Sequence, residues 1–532
     1  MHDFSALLDR LIYTRSRNAK VKLIGDYLAA TPDPDRGWAM AALTGDLDLP
    51  AVKPAIIRAM VDERVDPVLF RMSRDYVGDT AETVSLIWPD PPAPPEGPAD
   101  LSLSGIITRL ATLSRSDAPA VLADLLDRLT PEERFAMLKM ATGAMRIGVS
   151  ARLAKTALAT AFGLDVEAVE EVWHGLSAPY ASLFAWAEGH GEQPTSANIP
   201  VFRPFMLAHP LEEVRVDMAD YAAEWKWDGI RVQMVCVAGQ TRLFSRAGDD
   251  ITHSFPEVAE RFTMEGVLDG ELLVKGEAQG SGIGGGEGGA ASFNALQQRL
   301  GRKIVSAKMR SDYPAFVRLY DILFDGAEDL RGLAWTERRV RLEAFVPRLD
   351  PERFDLSQVI EAASFADLET IRETARDAAI EGVMLKRRDS AYVTGRRVGL
   401  WYKWKRDPLT ADCVMMYAQR GSGKRSSFYS DYTFGCWTEG GELLPVGKAY
   451  SGFTDEELKM LDRFVRQHTL ARFGPVREVE KTLVLEVAFD SIHESKRHKS
   501  GVAMRFPRIA RIRTDKPAAE ADRIETLRRM IA

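Results

Sequence analysis

Glu224-Trp225-Lys226-Trp227-Asp228-Gly229-Ile230-Arg231 is the stretch on which the reading of this chain turns. Most lysines are solvated surface charges, and Lys226 taken alone reads that way. Its neighbours shift the reading. Two tryptophans flank it, and Gly229 permits a tight backbone turn. Apolar bulk beside a lysine disfavours its charged form and leaves the neutral amine, which is the nucleophile. A metal bound nearby would act in the same direction.

Further along, Leu268-Asp269-Gly270-Glu271-Leu272 and Glu381-Gly382-Val383-Met384-Leu385-Lys386 each set a carboxylate on a strand-like segment. Glu271 and Glu381 are either salt-bridged surface acids or, beside a nucleophilic lysine, oxygen ligands for Mg2+, which favours carboxylates together with phosphate oxygens. In Trp401-Tyr402-Lys403-Trp404-Lys405, a strand sets Lys403 and Lys405 on one face with the aromatics opposite. Two such cations suit a triphosphate, whose charge must be neutralised as pyrophosphate leaves. The same pattern also fits a half-buried strand with a solvated basic face. Last comes the basic run Arg505-Phe506-Pro507-Arg508-Ile509-Ala510-Arg511-Ile512-Arg513-Thr514-Asp515-Lys516. Its interleaved Phe506, Ile509 and Ile512 argue for a folded segment over a disordered tail.

The 532 residues exceed one ordinary core and suggest three domains. Phe4, Leu7, Leu8, Leu11 and Ile12 form one helical stripe, and Thr130-Pro131-Glu132-Glu133 is a helix start. Pro89-Asp90-Pro91-Pro92-Ala93-Pro94-Pro95 cannot lie inside a helix and reads as an extended connection. Helical patterning runs on through Leu153–Phe162 to about Trp186, and Glu188–Asn198 reads as a linker. Strand patterns follow at 232–237, 241–244, 268–274, 316–324 and 382–386, with a turn at 238–240. Helices are expected at 337–345 and 365–379. Beyond Arg406-Asp407-Pro408 come short strand-like runs at 411–418, 432–437 and 483–489. One helix is expected there, at 454–468, with a Thr454/Glu457 capping box. The division is therefore an all-α domain over 1–200, an α+β domain over 201–406, and a small β-barrel of the OB type over 407–532. Gly276–Gly289 reads as a mobile surface loop.

Three widely spaced cysteines, Cys236, Cys413 and Cys436, argue against a disulfide framework and for a reducing cytoplasm. No apolar run reaches membrane-spanning length, and Met1-His2-Asp3-Phe4 does not open a signal peptide. The net charge of −7 does not exclude nucleic acid; it requires basic residues to be gathered on one face.

The order of these elements carries more than any one of them. Lys226-x-Asp228-Gly229, Ser245-Arg246, Asp269-Gly270-Glu271, Tyr320-Asp321, Glu381-Gly382, Lys403-x-Lys405 and the Arg-rich C-terminal run resemble the covalent nucleotidyltransferase superfamily of DNA ligases, RNA ligases and mRNA capping enzymes. The roughly 200 helical residues in front of the lysine resemble those of ATP-dependent DNA ligases, as does Arg511-Ile512-Arg513-Thr514-Asp515-Lys516. NAD-dependent ligases are disfavoured, because their zinc site and their upstream and C-terminal modules are not found.

The resemblance implies an N-terminal helical DNA-binding domain, a nucleotidyltransferase (adenylation) domain of ATP-grasp-like type and a C-terminal OB-fold. The substrates it implies are ATP and nicked double-stranded DNA, with Mg2+ as cofactor. Lys226 would attack the α-phosphate and carry AMP. Glu224 would accept from the adenine amino group, Tyr320 would stack on adenine where the family more often has Phe, and Arg231 and Arg246 would hold ribose and phosphates. Glu271 and Glu381 would hold Mg2+, and Arg397, Lys403 and Lys405 would steady the phosphates. Arg511, Arg513, Asp515 and Lys516 would orient pyrophosphate. Gly143, Arg146 and Gly148 would approach the DNA backbone, unless that segment is only a helix–turn–helix junction. Asp407, beside Pro408, is the candidate pivot for rotation of the barrel. Gly421-Ser422-Gly423-Lys424-Arg425 is either a DNA-backbone loop or an ordinary solvated turn.

The expected protein is a monomeric, nucleoid-associated cytoplasmic ligase of DNA repair, recombination or replication, with no membrane partner. An RNA-joining ligase and a catalytically silent DNA-binding scaffold are the alternatives.

Overall fold

Amphipathic spacing and capped ends turn the first 190 residues into helices. In a computed structural model of the protein, twelve described helices run from His2–Tyr13 to Ala181–Ala187. The structure describes residues 1–532 except 92, 94, 96, 98, 144, 196–198, 212–214, 277–295, 297, 298, 300, 301, 303, 304, 375–379, 422–426, 496, 497 and 532. The glycine-rich run beyond Gly276, positions 422–425 of the proposed backbone loop and positions 375–379 of the expected helix therefore lie outside the described residues. The chain divides into two compact units. One holds 1–195, 415–433 and 450–482; the other holds 196–414, 434–449 and 483–532.

In the first unit, Phe4, Leu7, Leu8 and Leu11 are buried along one stripe of the first helix. Thr130 caps Pro131–Ala141 through a capping box with Glu133, and Ser150 caps Ala151–Phe162. The helices bury one continuous apolar core that includes Ile24, Leu28, Met137, Ala154 and Leu158. The described residues of 89–95 form no helix or strand. The same unit holds Tyr417–Gln419 paired with Val476–Glu478, which pairs with Thr469–Phe473. The helix Asp455–Gln467 also belongs here and starts with the expected capping box from Thr454 and Glu457.

The second unit is built around two mainly antiparallel sheets, in which His209–Pro210 and Phe354–Leu356 each pair parallel to their neighbour. One runs in the order Val359–Ile360, Tyr221–Trp227, Ile380–Arg387, Trp401–Lys405, His209–Pro210. The other runs in the order Gln240–Ser245, Ile230–Val237, Gly266–Val274, Ala315–Asp325, Glu328–Asp329, with Phe354–Leu356 beside Ala315–Asp325. Gln240, expected in the turn, pairs with Val237 as a strand residue. Ala238 and Gly239 alone make the turn, both at positive φ (49° and 72°), which matches the twist of a tight hairpin. C-terminal to these sheets, Leu409–Val414 pairs with Val484–Phe489, and Val484–Ala488 pairs with Arg508–Arg513. The chain thus has a helical N-terminal region, a mixed central region and a strand-rich C-terminal region. The short strands Leu443–Ala449, Thr469–Phe473, Val476–Val479, Ser491–Glu494 and Val502–Arg505 were not legible in the sequence. Among the described residues no helix is long and apolar enough to cross a membrane.

Asp321, next to the adenine-stacking candidate Tyr320, is part of the scaffold. Its carboxylate receives Arg338 at 2.8 and 3.1 Å, and Arg338 also donates to Leu333 O and Ser390 O; Asp321 and Arg338 are almost fully buried. Removing one partner of a buried pair leaves the other uncompensated. Arg338→Met should therefore cost ~3–5 kcal/mol in unfolding free energy, read from the midpoint of urea denaturation. A midpoint equal to that of the parent protein would show the pair to be idle.

Candidate active site

The pleat of Tyr221–Trp227 puts Glu224 and Lys226 on one face and Trp225 and Trp227 on the other, where they pack with Leu273, Phe316, Val383 and Tyr402. The tryptophan side chains thus pack behind the strand, although Trp225 and Trp227 are still among the residues that line the Lys226 cavity. What meets the Lys226 amine is a carboxylate: Lys226 Nζ donates to Glu381 Oε2. Gly229 is not at positive φ; its role is space. A Cβ there would lie 2.5 Å from Leu272 O and 2.8 Å from Glu271 Cγ, so a larger residue would push the Glu271 strand away.

Glu381 reaches Lys226 through a break in register. Ile380 pairs with Trp227 and Gly382 with Lys226, which leaves Glu381 as the extra residue of a bulge. Gly382 adopts φ 147°, and a Cβ there would lie 2.2 Å from Trp404 O. The bulge has a second effect. In a regular strand, residues five apart face opposite ways, so Glu381 and Lys386 would be separated. Here both line the same cavity of about 470 Å3. That cavity also takes in Glu224, Lys226, Arg231, Arg246, Glu271, Tyr320, Trp401, Lys403 and Lys405.

Lys386 is the main residue the sequence reading missed. It is 2% exposed and donates to Glu224 Oε1 at 2.9 Å and to Tyr320 O at 3.1 Å, with its ammonium 4.5 Å from the Tyr320 ring centre. Burial pulls its pKa down, and the Glu224 charge opposes that. Glu224 is itself 1% exposed. Arg231 sits opposite Glu271 in the sheet, pairs with Asp269 at 2.9 Å, donates to Met206 O, and lies 3.9 Å from the Phe205 ring centre.

The acids are crowded. Burial, with Glu381 and Asp228 adding to it against Lys226 and Arg231, pushes the Glu271 carboxyl up to about 7. Burial also raises Asp228 to about 6, against its ion pair with Arg505 and with the charge of Glu381 reinforcing the rise. Burial would raise Glu381 too, but Lys226, then Lys405 and a hydrogen bond with Asp228, outweigh it and hold it at about 2. The cations are crowded in turn. Burial, then Arg396, Arg246, Lys226 and Lys405, lower the pKa of Lys403. Lys405 is ion-paired with Asp490 at 2.9 Å and with Glu381 at 3.5 Å. The cavity thus brings the cations Lys226, Arg231, Arg246, Lys403 and Lys405 together with the carboxylates Glu224, Glu271 and Glu381, groups suited to a polyphosphate with a divalent cation.

Trp401 shares the cavity face with Lys403 and Lys405, because residues two apart point the same way; only Tyr402 and Trp404 lie opposite. Arg397 is exposed and does not line the cavity. Arg511, Arg513, Asp515 and Lys516 do not line it either. Arg513 pairs with Asp515 and Asp412, and Lys516 with Asp412 at 2.7 Å. It is Arg505 and Phe506, upstream in the same basic run, that reach the cavity. Ile509 is buried as expected, whereas Phe506 is 62% exposed. Asp407 is exposed and meets Arg372 at 3.4 Å. Gly143, Arg146 and Gly148 lie in the other unit, on an exposed loop.

The chain matches known families in three consecutive stretches: DNA ligase N terminus over residues 1–159, ATP dependent DNA ligase domain over 205–405 and ATP dependent DNA ligase C terminal region over 425–516. It is 36% identical to a probable DNA ligase of Koribacter versatilis over 434 residues, 76% of this chain and 73% of that protein. It is 31% identical to DNA ligase 1 of Korarchaeum cryptofilum, covering 99% of this chain and 97% of that one. A solved structure named Pmar-Lig_PreS3 shares the fold, with a TM-score of 0.61 at 16% identity over 96% of this chain and 99% of its own. The protein belongs to the ATP-dependent DNA ligases. It is an enzyme that forms phosphodiester bonds, and its family seals nicks through an adenylate intermediate.

The carboxylate crowding can be measured directly. In the free protein the Glu271 side-chain carbon should titrate near pH 7 in a 13C NMR experiment. In Glu381→Gln, which removes one repelling charge and frees Lys226 to stabilise the anion, it should titrate at lower pH. A Glu271 signal that titrates in the ordinary carboxylate range in the parent protein would contradict the burial argument.

Proposed function

We propose that Lys226 is the residue that carries AMP, and that the cavity around it is the ATP site. The observation that carries this reading is the meeting of the Lys226 amine, Glu271, Glu381, Lys403 and Lys405 in one cavity of nucleotide size. The neutral amine of Lys226 attacks the α-phosphate of ATP, a phosphoramidate bond forms, and pyrophosphate leaves. AMP passes to the 5′-phosphate of the nick, and the 3′-hydroxyl then displaces it. Positioning and charge neutralisation supply most of the acceleration in each step.

Glu224, held by Lys386, faces the adenine amino group, and Tyr320 stacks on the base. Arg231 and Arg246 hold ribose and phosphates, while Lys403 and Lys405 neutralise the phosphate tail. Arg397 joins them only by moving toward the cavity. Mg2+ fits the donor set, because Glu271 and Glu381 offer two carboxylates where burial, and after it the charges of Glu381 and Asp228, raises Glu271. Bound there, Mg2+ would neutralise phosphate charge. Arg511, Arg513, Asp515 and Lys516 orient pyrophosphate, which requires this segment to leave Asp412.

Residues 1–200, 201–406 and 407–532 act as DNA-binding, adenylation and OB-type domains, with the loop of Gly143, Arg146 and Gly148 on the DNA backbone and Asp407 at the pivot. The enzyme works as a monomer on nicked duplex in the cytoplasm.

Incubation with α-labelled ATP tests the central assignment. The parent protein should become covalently labelled and Lys226→Ala should not; label on Lys226→Ala equal to that on the parent protein would overturn it. Asp407→Pro should still accept label but seal nicks at least ~10-fold more slowly, because rigid φ at the pivot blocks the rearrangement that follows loading. Unimpaired sealing would remove Asp407 from the mechanism.

A further inference from the structure

A buried lysine holds the loop between the helices Pro131–Ala141 and Ala151–Phe162 from beneath. Lys20 lies near the start of the helix Arg17–Ala30 and is 7% exposed. Its Nζ donates to Ile147 O at 2.7 Å and to Gly148 O at 3.0 Å. The loop is tightly wound: Gly143, Arg146 and Gly148 all sit at positive φ, 67°, 43° and 68°. Arg146 is not a glycine, and such a backbone persists only where its surroundings over-determine it. Two anchors do so here. The Ile147 side chain is buried in the helical core, and the Lys20 ammonium binds the two carbonyls that follow Arg146.

These bonds also orient the peptide groups. In a trans peptide the C=O and the next N–H point in opposite directions. With the carbonyls of Ile147 and Gly148 turned in toward Lys20, the N–H groups of Gly148 and Val149 are turned away from it, and Arg146, just before the anchors, is exposed. Consecutive outward N–H groups beside an arginine form a concavity suited to a phosphate oxygen. A side chain at Gly148 is disfavoured by its φ of 68°, and its Cβ would lie 2.8 Å from Lys20 Nζ and displace the lysine end.

We propose that Lys20 is a positioning residue for nicked DNA: by drawing two loop carbonyls inward it presents the amides of Gly148 and Val149, together with Arg146, to the DNA backbone. The inference rests on the reading above that this loop meets DNA. Lys20 touches no substrate; it acts through the loop.

The test is the KM for a nicked duplex, measured with the full chain and expressed per adenylated enzyme, so that labelling by ATP counts competent molecules. Lys20→Met should raise that KM about tenfold, with kcat changed by less than about twofold, the size of effect expected from losing hydrogen bonds to a charged group. Gly148→Ala, which crowds the same contact from the other side, should raise KM in the same way. Arg146→Ala tests the underlying reading. If Arg146→Ala raises KM and Lys20→Met does not, the loop meets DNA but Lys20 does not position it, and the proposal is overturned. If Arg146→Ala leaves KM at the parent value, the reading of the loop falls and the proposal falls with it. Should Lys20→Met fail to fold, Gly148→Ala decides alone, and an unchanged KM there overturns the proposal.

Discussion

The ion pair between Lys226 and Glu381 is the contact around which the cavity is arranged. It exists because a bulge inserts one residue into the strand Ile380–Arg387, so that a carboxylate faces an amine on the neighbouring strand. The pair keeps Glu381 ionised at neutral pH and gives the Lys226 ammonium a counter-ion before any nucleotide arrives. It also opposes chemistry, since a paired ammonium is not a nucleophile. A divalent cation held by these carboxylates would compete with Lys226 for Glu381 and weaken that pairing.

Buried pairs support that contact on both sides. Glu224 and Lys386 neutralise each other in the cavity lining, and Asp269 fixes the guanidinium of Arg231. Asp228, one residue before Gly229, is tied to Arg505, and Lys405 to Asp490. Residues near the C-terminus thereby close the cavity that the central sheets open, and Arg505 and Phe506 complete its lining. A region tied by ion pairs can be released when those charges are shared with phosphates, at a smaller cost than an apolar interface would demand.

The helices were the most legible part of the fold. The stripe of Phe4, Leu7, Leu8 and Leu11, the Thr130 cap and the Thr454/Glu457 box are local signals, and local hydrogen bonds answer them. The strands of the central sheets were legible where they are long and apolar, as at Gly266–Val274 and Ala315–Asp325. Short strands such as Ser491–Glu494 carry too few residues for a periodic signal, and only their partners define them. In the site, Lys226, Glu271, Glu381, Lys403 and Lys405 were all chosen from motif order and all line one cavity. Lys386 was missed because strand alternation, counted through the bulge, points it the wrong way. The tryptophan side chains beside Lys226 pack on the opposite face for the converse reason: in a regular strand adjacent residues face opposite ways.

By itself the sequence determined which residues could carry the chemistry, because a nucleophilic amine, metal-binding acids and phosphate-binding cations must be those side-chain types and recur in one order along the chain. It also determined where helices begin, since caps and apolar stripes act within a few residues of each other. The tertiary structure alone decided which charges meet: that Glu381 pairs with Lys226, that Lys386 holds Glu224, and that Arg505 reaches Asp228 across 277 residues. Such pairings depend on register, bulges and burial, and electrostatic energy depends on distance and on exclusion of water, neither of which is written in the spacing of residues along a chain.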